Sequence, residues 1–222
     1  MYEAFEKLPE EKRNRILAVC IEAFAETGYE KTSTDMITKR AGISKGILFH
    51  YFKNKKNLYV YVIKHVHQFL AHRILSAIEQ VQSADFFDRI KEVILIKQRI
   101  QFEHLQETKL VTHALLHPPH AVREEMLQLL QQNKDLYGPP FLAKMLDASL
   151  LKEHVSPDRV LNLTMIVLEQ VTQQYLKLLE NNELSMEAVQ EQLIPELDAY
   201  MDMIRYGVYQ EPRSPGPAAP RL

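Results

Sequence analysis

Residues 31–57 constrain the fold of this chain more than any other segment. Apolar side chains recur at helical spacing on both sides of Gly42, which marks a turn. Ser44, two residues after that glycine, is a favourable N-cap for the helix that follows. The inward positions are Ile37 and Ala41 before the turn, and Leu48 and Phe52 after it. The segment is therefore predicted to form two short helices packed on each other, which is a helix-turn-helix arrangement.

The same segment carries a strong positive charge. It holds seven basic residues and one acid, Asp35, so its formal charge is +6 in a chain whose total is −2. The basic residues are Lys31, Lys39, Arg40, Lys45, Lys53, Lys55 and Lys56. DNA affinity rests largely on neutralising phosphates, so a local basic patch matters more than the overall charge. Residues 1–60 carry a net +3 and the remainder a net −5, which predicts a DNA-binding head on a mildly acidic body.

Composition and local signals predict an all-α chain. Only six of the 222 residues are glycine, whereas Leu, Glu, Gln, Lys and Met, which favour helices, are abundant. Gly28 is expected to end the first long helix. Thr32 and Asp35 are expected to form a capping box for the next helix. Asn54 is expected to cap a long fourth helix over residues 55–82.

The rest of the chain is also predicted to be helical. Helices are expected over residues 85–104, 157–181 and 186–208, and Pro195 is expected to kink or interrupt the last of them. We therefore divide the chain into a helix-turn-helix head, a helical body and a tail rich in Pro, Gly and Ala that is expected to be disordered. These three parts are residues 1–54, 55–211 and 212–222.

Several classes of protein are disfavoured by what the sequence lacks. An enzyme is the main rival, but there is no glycine-rich phosphate loop, nucleophile elbow or HExxH pair, so no catalytic residue and no cofactor are predicted. The single cysteine, Cys20, excludes an internal disulfide and fits a reducing compartment. No secretory signal or membrane-spanning run is visible, so a cytoplasmic protein without a membrane partner is expected.

A histidine cluster invites a metal interpretation. His113 and His117 are four residues apart, a spacing that lets two side chains share a metal ion on one helix face. Pro118–Pro119 ends that helix before His120, and no cysteine or carboxylate neighbour completes the ligand set. No metal site is therefore predicted.

The motifs around the turn carry a family resemblance. The stretch GYEKTSTDMITKRAGISKGILFHYFKNKKNL closely resembles the DNA-binding head of TetR-family transcriptional regulators, and the close match covers about residues 10–60. The matching features are Gly28–Tyr29, Thr32–Thr34, Ala41–Gly46, Phe49–Phe52 and Lys53–Lys55. The family often has Thr and Tyr where this chain has Ile47 and Phe49, so two hydroxyl groups of the usual pattern are missing.

The resemblance implies a set of DNA-binding residues. A recognition helix meets base edges with its N-terminal residues, and the corresponding positions here are Ser44, Lys45 and Gly46. Lys45 is suited to donate to guanine, and Gly46 lets the backbone come close to the groove. The remaining members of the set are Phe49 and His50 at the groove and Thr34, Tyr51 and Lys55 at phosphates. The alternatives are that Phe49 and Tyr51 are core residues and that His50 is an ordinary surface residue.

The body has two expected roles. Its last two helices carry more apolar surface than one buried face needs, so they are expected to pair with a twofold copy of the chain. The resulting dimer would present two heads to a pseudo-palindromic operator in double-stranded DNA. A monomeric helical core is the alternative. The resemblance also implies a cavity for an unknown, largely apolar small-molecule effector. Its tentative lining is Phe102, Met126, Tyr137, Phe141, Met145 and Met165, any of which is alternatively ordinary core.

The expected function is that of a homodimeric repressor which its ligand releases from the operator. Two alternatives are a ligand-responsive activator and a DNA-binding protein with no small-molecule inducer.

Overall fold

A computed structural model describes residues 2–137, 142–181 and 183–209 of the chain. The fold is all-α, as predicted, and within these ranges the only β-pairing is an isolated bridge between Leu151 and Tyr209. The helices are α1 (Glu3–Glu6), α2 (Glu10–Lys31), α3 (Thr34–Ala41), α4 (Lys45–Phe52), α5 (Lys55–Ile78), α6 (Phe86–Glu103), α7 (Leu105–Leu116), α8 (Arg123–Tyr137), α9 (Pro157–Glu180) and α10 (Met186–Val208). The predicted tail, residues 212–222, lies outside the described residues.

The described residues form two compact units. The first comprises the chain up to Gln80 together with Ile96–Lys134, and the second comprises Val81–Leu95 and the described residues from Asp135 onward. The first unit therefore contains α5, α7 and α8 as well as the helix-turn-helix helices. The domain boundary after residue 54 stays a prediction.

Local capping signals define the helices of the head. Ser44 and Asn54 cap α4 and α5 as predicted, because their side chains accept hydrogen bonds from the backbone N–H groups of Ile47 and Asn57 at 3.2 and 2.8 Å. Gly42 ends α3 in the left-handed conformation, with φ of 64°.

The capping box predicted for α3 is wrong. The N-cap is Ser33, whose Oγ accepts from the backbone N–H of Met36 at 3.1 Å. Thr32 is buried, and its hydroxyl donates to the carbonyls of Gly28 and Ala23 at 2.6 and 3.0 Å. This threonine therefore closes the C-terminal end of α2 and does not start α3.

Two predicted helix breakers behave differently. Gly28 interrupts α2 as predicted, with φ of 71° and ψ of 177°, so the helix path changes there before Lys31. Pro195 does not interrupt α10, which continues from Met186 to Val208. The proline is exposed and lies within the helix.

The second unit is built on α9, α10 and the first part of α6. One apolar cluster joins the three helices, and a second joins α9 to α10. The buried members of the first cluster include Phe86, Phe87, Ile90, Val160, Leu161, Met201 and Ile204, and those of the second are Val171, Tyr175, Val189, Leu193 and Leu197. In the parts of the chain that are described, no helix is long and apolar enough to cross a membrane.

Candidate nucleic-acid interface

Helix α4 has one buried and one exposed face. Its buried side chains are Leu48, Tyr51 and Phe52, whereas Lys45, Gly46, Ile47 and His50 are exposed and Phe49 is half-buried. A helix has 3.6 residues per turn, so these two groups fall on opposite sides of it. The buried side fixes α4 to the head, and the exposed side is left for an external partner.

The first turn of α4 holds the predicted base reader. Lys45 Nζ lies 2.8 Å from Asp35 Oδ1, and both side chains are largely exposed. An exposed ion pair of this kind contributes little to stability, so the ammonium is able to exchange Asp35 for a base or a phosphate. The neighbouring pair of Arg40 and Glu26, 3.0 Å apart, is exposed in the same way.

An open cleft of about 480 Å³ lies beside α4. It is lined by Glu30, Lys31, Thr32, Ser33, Thr34, Phe49, Asn54 and Lys55. The N-terminal ends of α3 and α5 both reach this cleft, through Thr34 and Lys55. Helix N-termini present unpaired N–H groups and the positive end of the helix dipole, which suits a phosphate. The structure thus brings three predicted residues together, namely Thr34, Phe49 and Lys55.

Lys55 has a structural role that the sequence did not reveal. Its Nζ donates to the backbone carbonyls of Tyr29, Glu30 and Thr32 at 3.0, 3.3 and 3.4 Å. The same ammonium lies 4.5 Å from the centre of the Tyr29 ring. Lys55 therefore ties the start of α5 to the end of α2, and its phosphate contact stays a prediction.

Tyr51 faces the core, contrary to the expectation that it is free to face outward. Only 8% of the residue is exposed, and its ring lies 5.5 Å from that of Phe5. The structure thus favours the alternative in which Tyr51 packs inside the head, and a contact of its hydroxyl with phosphate stays a prediction. His50, whose ring lies 5.6 Å from that of Tyr51, is exposed at the end of the same helix.

The N-terminal helix α1 packs against α4, and the sequence analysis did not predict it. Phe5 is fully buried, and its ring lies 4.8 Å from Phe52 and 5.4 Å from Tyr61. Tyr2 packs on the Tyr61 ring at 4.7 Å. A four-residue helix gives no periodic signal, so only the apolar side chains at positions 2 and 5 could have indicated packing.

The tentative ligand-lining residues lie in different parts of the fold. Met126 is fully buried in the first unit, where Phe102 is exposed. Met145 and Met165 each pack against the first apolar cluster of the second unit. The Tyr137 side chain and Phe141 lie outside the described residues. Which of these side chains line one cavity stays a prediction.

The histidine cluster is exposed at the end of α7. The rings of His113 and His117 lie 5.5 Å apart, and both residues are exposed, as is His120. Among the residues that the structure describes, no three His, Cys, Asp or Glu side chains are grouped so as to hold a metal ion.

The chain is similar to known regulators of transcription. Residues 16–62 match the family described as bacterial regulatory proteins, tetR family. The HTH-type transcriptional regulator UidR of Escherichia coli (strain K12) is 25% identical over 176 residues, which are 79% of this chain and 85% of UidR. The HTH-type transcriptional activator FasR of Mycolicibacterium smegmatis is 37% identical over 59 residues, 26% of this chain and 27% of FasR.

A solved structure shows the same fold over nearly the whole chain. The transcriptional regulator FadR from Bacillus subtilis, in complex with stearoyl-CoA, superposes with a TM-score of 0.60 at 16% identity, covering 88% of this chain and 99% of FadR. The family match covers most of α2, all of α3 and α4 and the start of α5, the helices that build the exposed face of α4. These similar proteins are named as regulators of transcription and not as enzymes. Residues 16–62 therefore form a DNA-binding domain of the TetR-family type, and the chain is similar to TetR-family transcriptional regulators.

Proposed function

We propose that this regulator is a homodimeric repressor that reads a pseudo-palindromic operator through α4 and leaves it when a small, largely apolar ligand binds. The observation that carries the proposal is the exposed face of α4, which begins with Lys45 and Gly46 on a head with a net positive charge. We expect it to act in the cytoplasm, where its operator DNA lies.

The DNA contacts combine base reading with phosphate binding. The first turn of α4 enters the major groove, where Lys45 donates to guanine. The cleft between the N-termini of α3 and α5 holds a backbone phosphate and so fixes the register of the head on the duplex. The exposed Lys39 and Lys53 add charge around these two contacts.

Dimerisation uses the exposed apolar side chains of α9 and α10. These are Leu163, Ile166, Tyr200, Met203 and Tyr206, of which the last two are 71% and 74% exposed. A groove of about 500 Å³ on these helices is lined in part by Ile166, Val171 and Tyr200. Clustered exposed apolar groups mark interaction surfaces, and a twofold copy would cover them with the same surface. Two heads would then address two half-sites.

Ligand release acts through the helices that touch the head. Helix α7 packs against both α2 and α5 in the first unit. Lys56, at the start of α5, forms an ion pair of 2.8 Å with Glu125 of α8. A ligand that binds more tightly to another arrangement of these helices would reposition α4. The loss of DNA affinity is limited by the difference between the ligand's affinities for that arrangement and for the DNA-binding one. A protein of this fold binds stearoyl-CoA, so fatty acyl thioesters are the first ligands to test.

The experiment has two steps. The bound sequence is selected from random DNA with the full chain, and the stoichiometry on the selected duplex is measured by analytical ultracentrifugation. Acyl thioesters and other apolar metabolites are then screened for release of that duplex. We expect an inverted repeat bound by two chains and a ligand that lowers the affinity.

Each rival function has its own signature in this experiment. Binding without sequence preference, with a steep salt dependence and no response to metabolites, would contradict the proposal and favour a purely architectural role. An activator is the second candidate because FasR, which is 37% identical over 59 residues, is named an activator. A promoter fusion whose expression falls when the regulator is removed would favour activation.

A further inference from the structure

Ile47 is a large apolar side chain exposed on the recognition helix. It lies in the first turn of α4 and is 39% exposed. Its backbone N–H is bound by Ser44 Oγ at 3.2 Å, so the N-cap fixes its position. The neighbouring exposed residues are polar or lack a side chain, namely Lys45, Gly46 and His50. Ile47 is thus the large aliphatic group on this face of α4.

The fold covers only part of this isoleucine and leaves 39% of it exposed. The contacts that hold α4 in the head come from Leu48, Tyr51 and Phe52 on the opposite face. A single exposed apolar side chain is common on protein surfaces and by itself means little. The position gives this one its significance, because the N-terminal residues of such a helix meet the edges of base pairs.

The adjacent Gly46 also indicates that an external surface approaches this face of α4. Gly46 is not among the glycines with positive φ, which are Gly28 and Gly42. A Cβ atom built on Gly46 would find its nearest neighbour, Ser44 Oγ, at 3.9 Å, which is ordinary contact. Neither conformation nor space inside the head therefore requires glycine, and alanine would favour the helix. A surface that approaches α4 closely from outside would require it, and that approach would also enclose Ile47.

The chemistry of the major groove then selects the contact. Ile47 has no side-chain hydrogen-bonding atom, and the apolar group that base pairs present in this groove is the C5 methyl of thymine. We infer that Ile47 is a specificity-determining residue that packs against the C5 methyl of one thymine in each operator half-site. The inference rests on the proposed function, because it requires α4 to lie in the major groove.

The test replaces each thymine of the selected operator in turn by deoxyuridine, which lacks only the methyl group. For the wild-type regulator, we expect one position per half-site at which affinity falls about fourfold, the effect of one buried methyl group. Ile47→Ala should bind the thymine operator more weakly and should show no loss at that position. The matched control is His50→Ala on the same exposed face, which should keep the fourfold loss.

The outcomes separate the inference from the proposed function. If an operator is selected but Ile47→Ala loses affinity with deoxyuridine as the wild type does, the inference is wrong and the proposed function stands. An operator whose half-sites lack thymine under α4 would overturn the inference as well. If no preferred sequence is selected, both the inference about Ile47 and the proposed function are wrong. Because 39% of Ile47 is exposed and the rest of its surface is covered, Ile47→Ala should lower the thermal unfolding temperature only slightly and leave the chain folded, which a melting curve checks.

Discussion

Replacing Gly46 by alanine should stabilise the head while weakening operator binding. The added methyl group meets nothing closer than Ser44 Oγ at 3.9 Å, so the folded chain accommodates it without movement. Alanine is favoured over glycine in a helix by roughly 0.5–1 kcal/mol, and a position in the first turn should give the lower end of that range. The free energy of unfolding should therefore rise by about 0.5 kcal/mol.

The same methyl group should obstruct the DNA. Inserting one methyl group into a closely packed contact costs roughly 1–3 kcal/mol, which corresponds to a loss of affinity of about 5-fold to 150-fold. Urea unfolding followed by circular dichroism measures the first effect, and titration of the selected operator measured by fluorescence anisotropy gives the second. The opposite signs distinguish this outcome from simple misfolding, which lowers both quantities together.

Gly207 provides the matched control. It lies in α10, has no positive φ, and would likewise find no neighbour within 4 Å of an added Cβ atom. Gly207→Ala should stabilise the chain by a similar amount. Its operator affinity should stay unchanged when it is measured at chain concentrations at which sedimentation shows a dimer. If Gly46→Ala binds the operator as tightly as the wild type, α4 does not approach the groove closely at this residue. If Gly46→Ala is less stable, the conformational argument is wrong.

Two further substitutions test the contacts that position the head, and a third tests an ion pair of the second unit. Phe5→Ala should lower the free energy of unfolding by about 3 kcal/mol, the lower end for a buried Phe, and reduce operator affinity because α1 no longer supports α4; unchanged operator affinity would show that α4 needs no such support. Lys55→Ala should lower the free energy of unfolding by about 1 kcal/mol, because backbone carbonyls at the end of α2 lose their hydrogen-bond donor. The control Lys39→Ala, at an exposed site, should leave it unchanged. Equal stabilities of the two variants in urea would contradict this role of Lys55. Burial raises the pKa of the Asp85 carboxyl, but hydrogen bonds from Arg205 and from a backbone N–H outweigh it and hold the pKa below its ordinary value of 3.8. Stability from this lowered pKa is present above pH 3.8 and lost as the pH falls through the folded value, so Asp85→Asn should be destabilising at pH 7 and nearly neutral in strong acid. A loss in urea midpoint that is the same at pH 3 and pH 7 would refute this.

Signals confined to a few consecutive residues predicted the structure well. Ser44 and Asn54 cap their helices, and Gly42 closes α3, because each of these residues acts on backbone groups within one turn. The long helix that begins at Pro157 was predicted for the same reason. A serine before a proline is a strong helix start whatever surrounds it.

Roles that depend on contacts between distant residues could not be predicted in this way. Lys55 contacts carbonyls that lie 23 to 26 positions earlier, and Tyr51 is buried beneath Phe5. Thr32 fits a capping box by its spacing, but the break at Gly28 turns the end of α2 toward its hydroxyl. In each of these three cases the side chain has two plausible partners, and the folded chain brings the more distant one into reach.

The two faces of α4 are under different physical constraints, and this separation allows a family to share a fold while reading different operators. Changing Leu48 or Phe52 would open a cavity in the head, because both residues are almost completely buried. Gly46 and Ile47 are exposed, and a Cβ atom at Gly46 would meet nothing closer than 3.9 Å, so the fold restricts these two positions less than it restricts Leu48 and Phe52. Substitutions on the exposed face should therefore change the free energy of DNA binding more than the free energy of unfolding. The departure from the family pattern at Ile47 then reflects the operator sequence more than the fold.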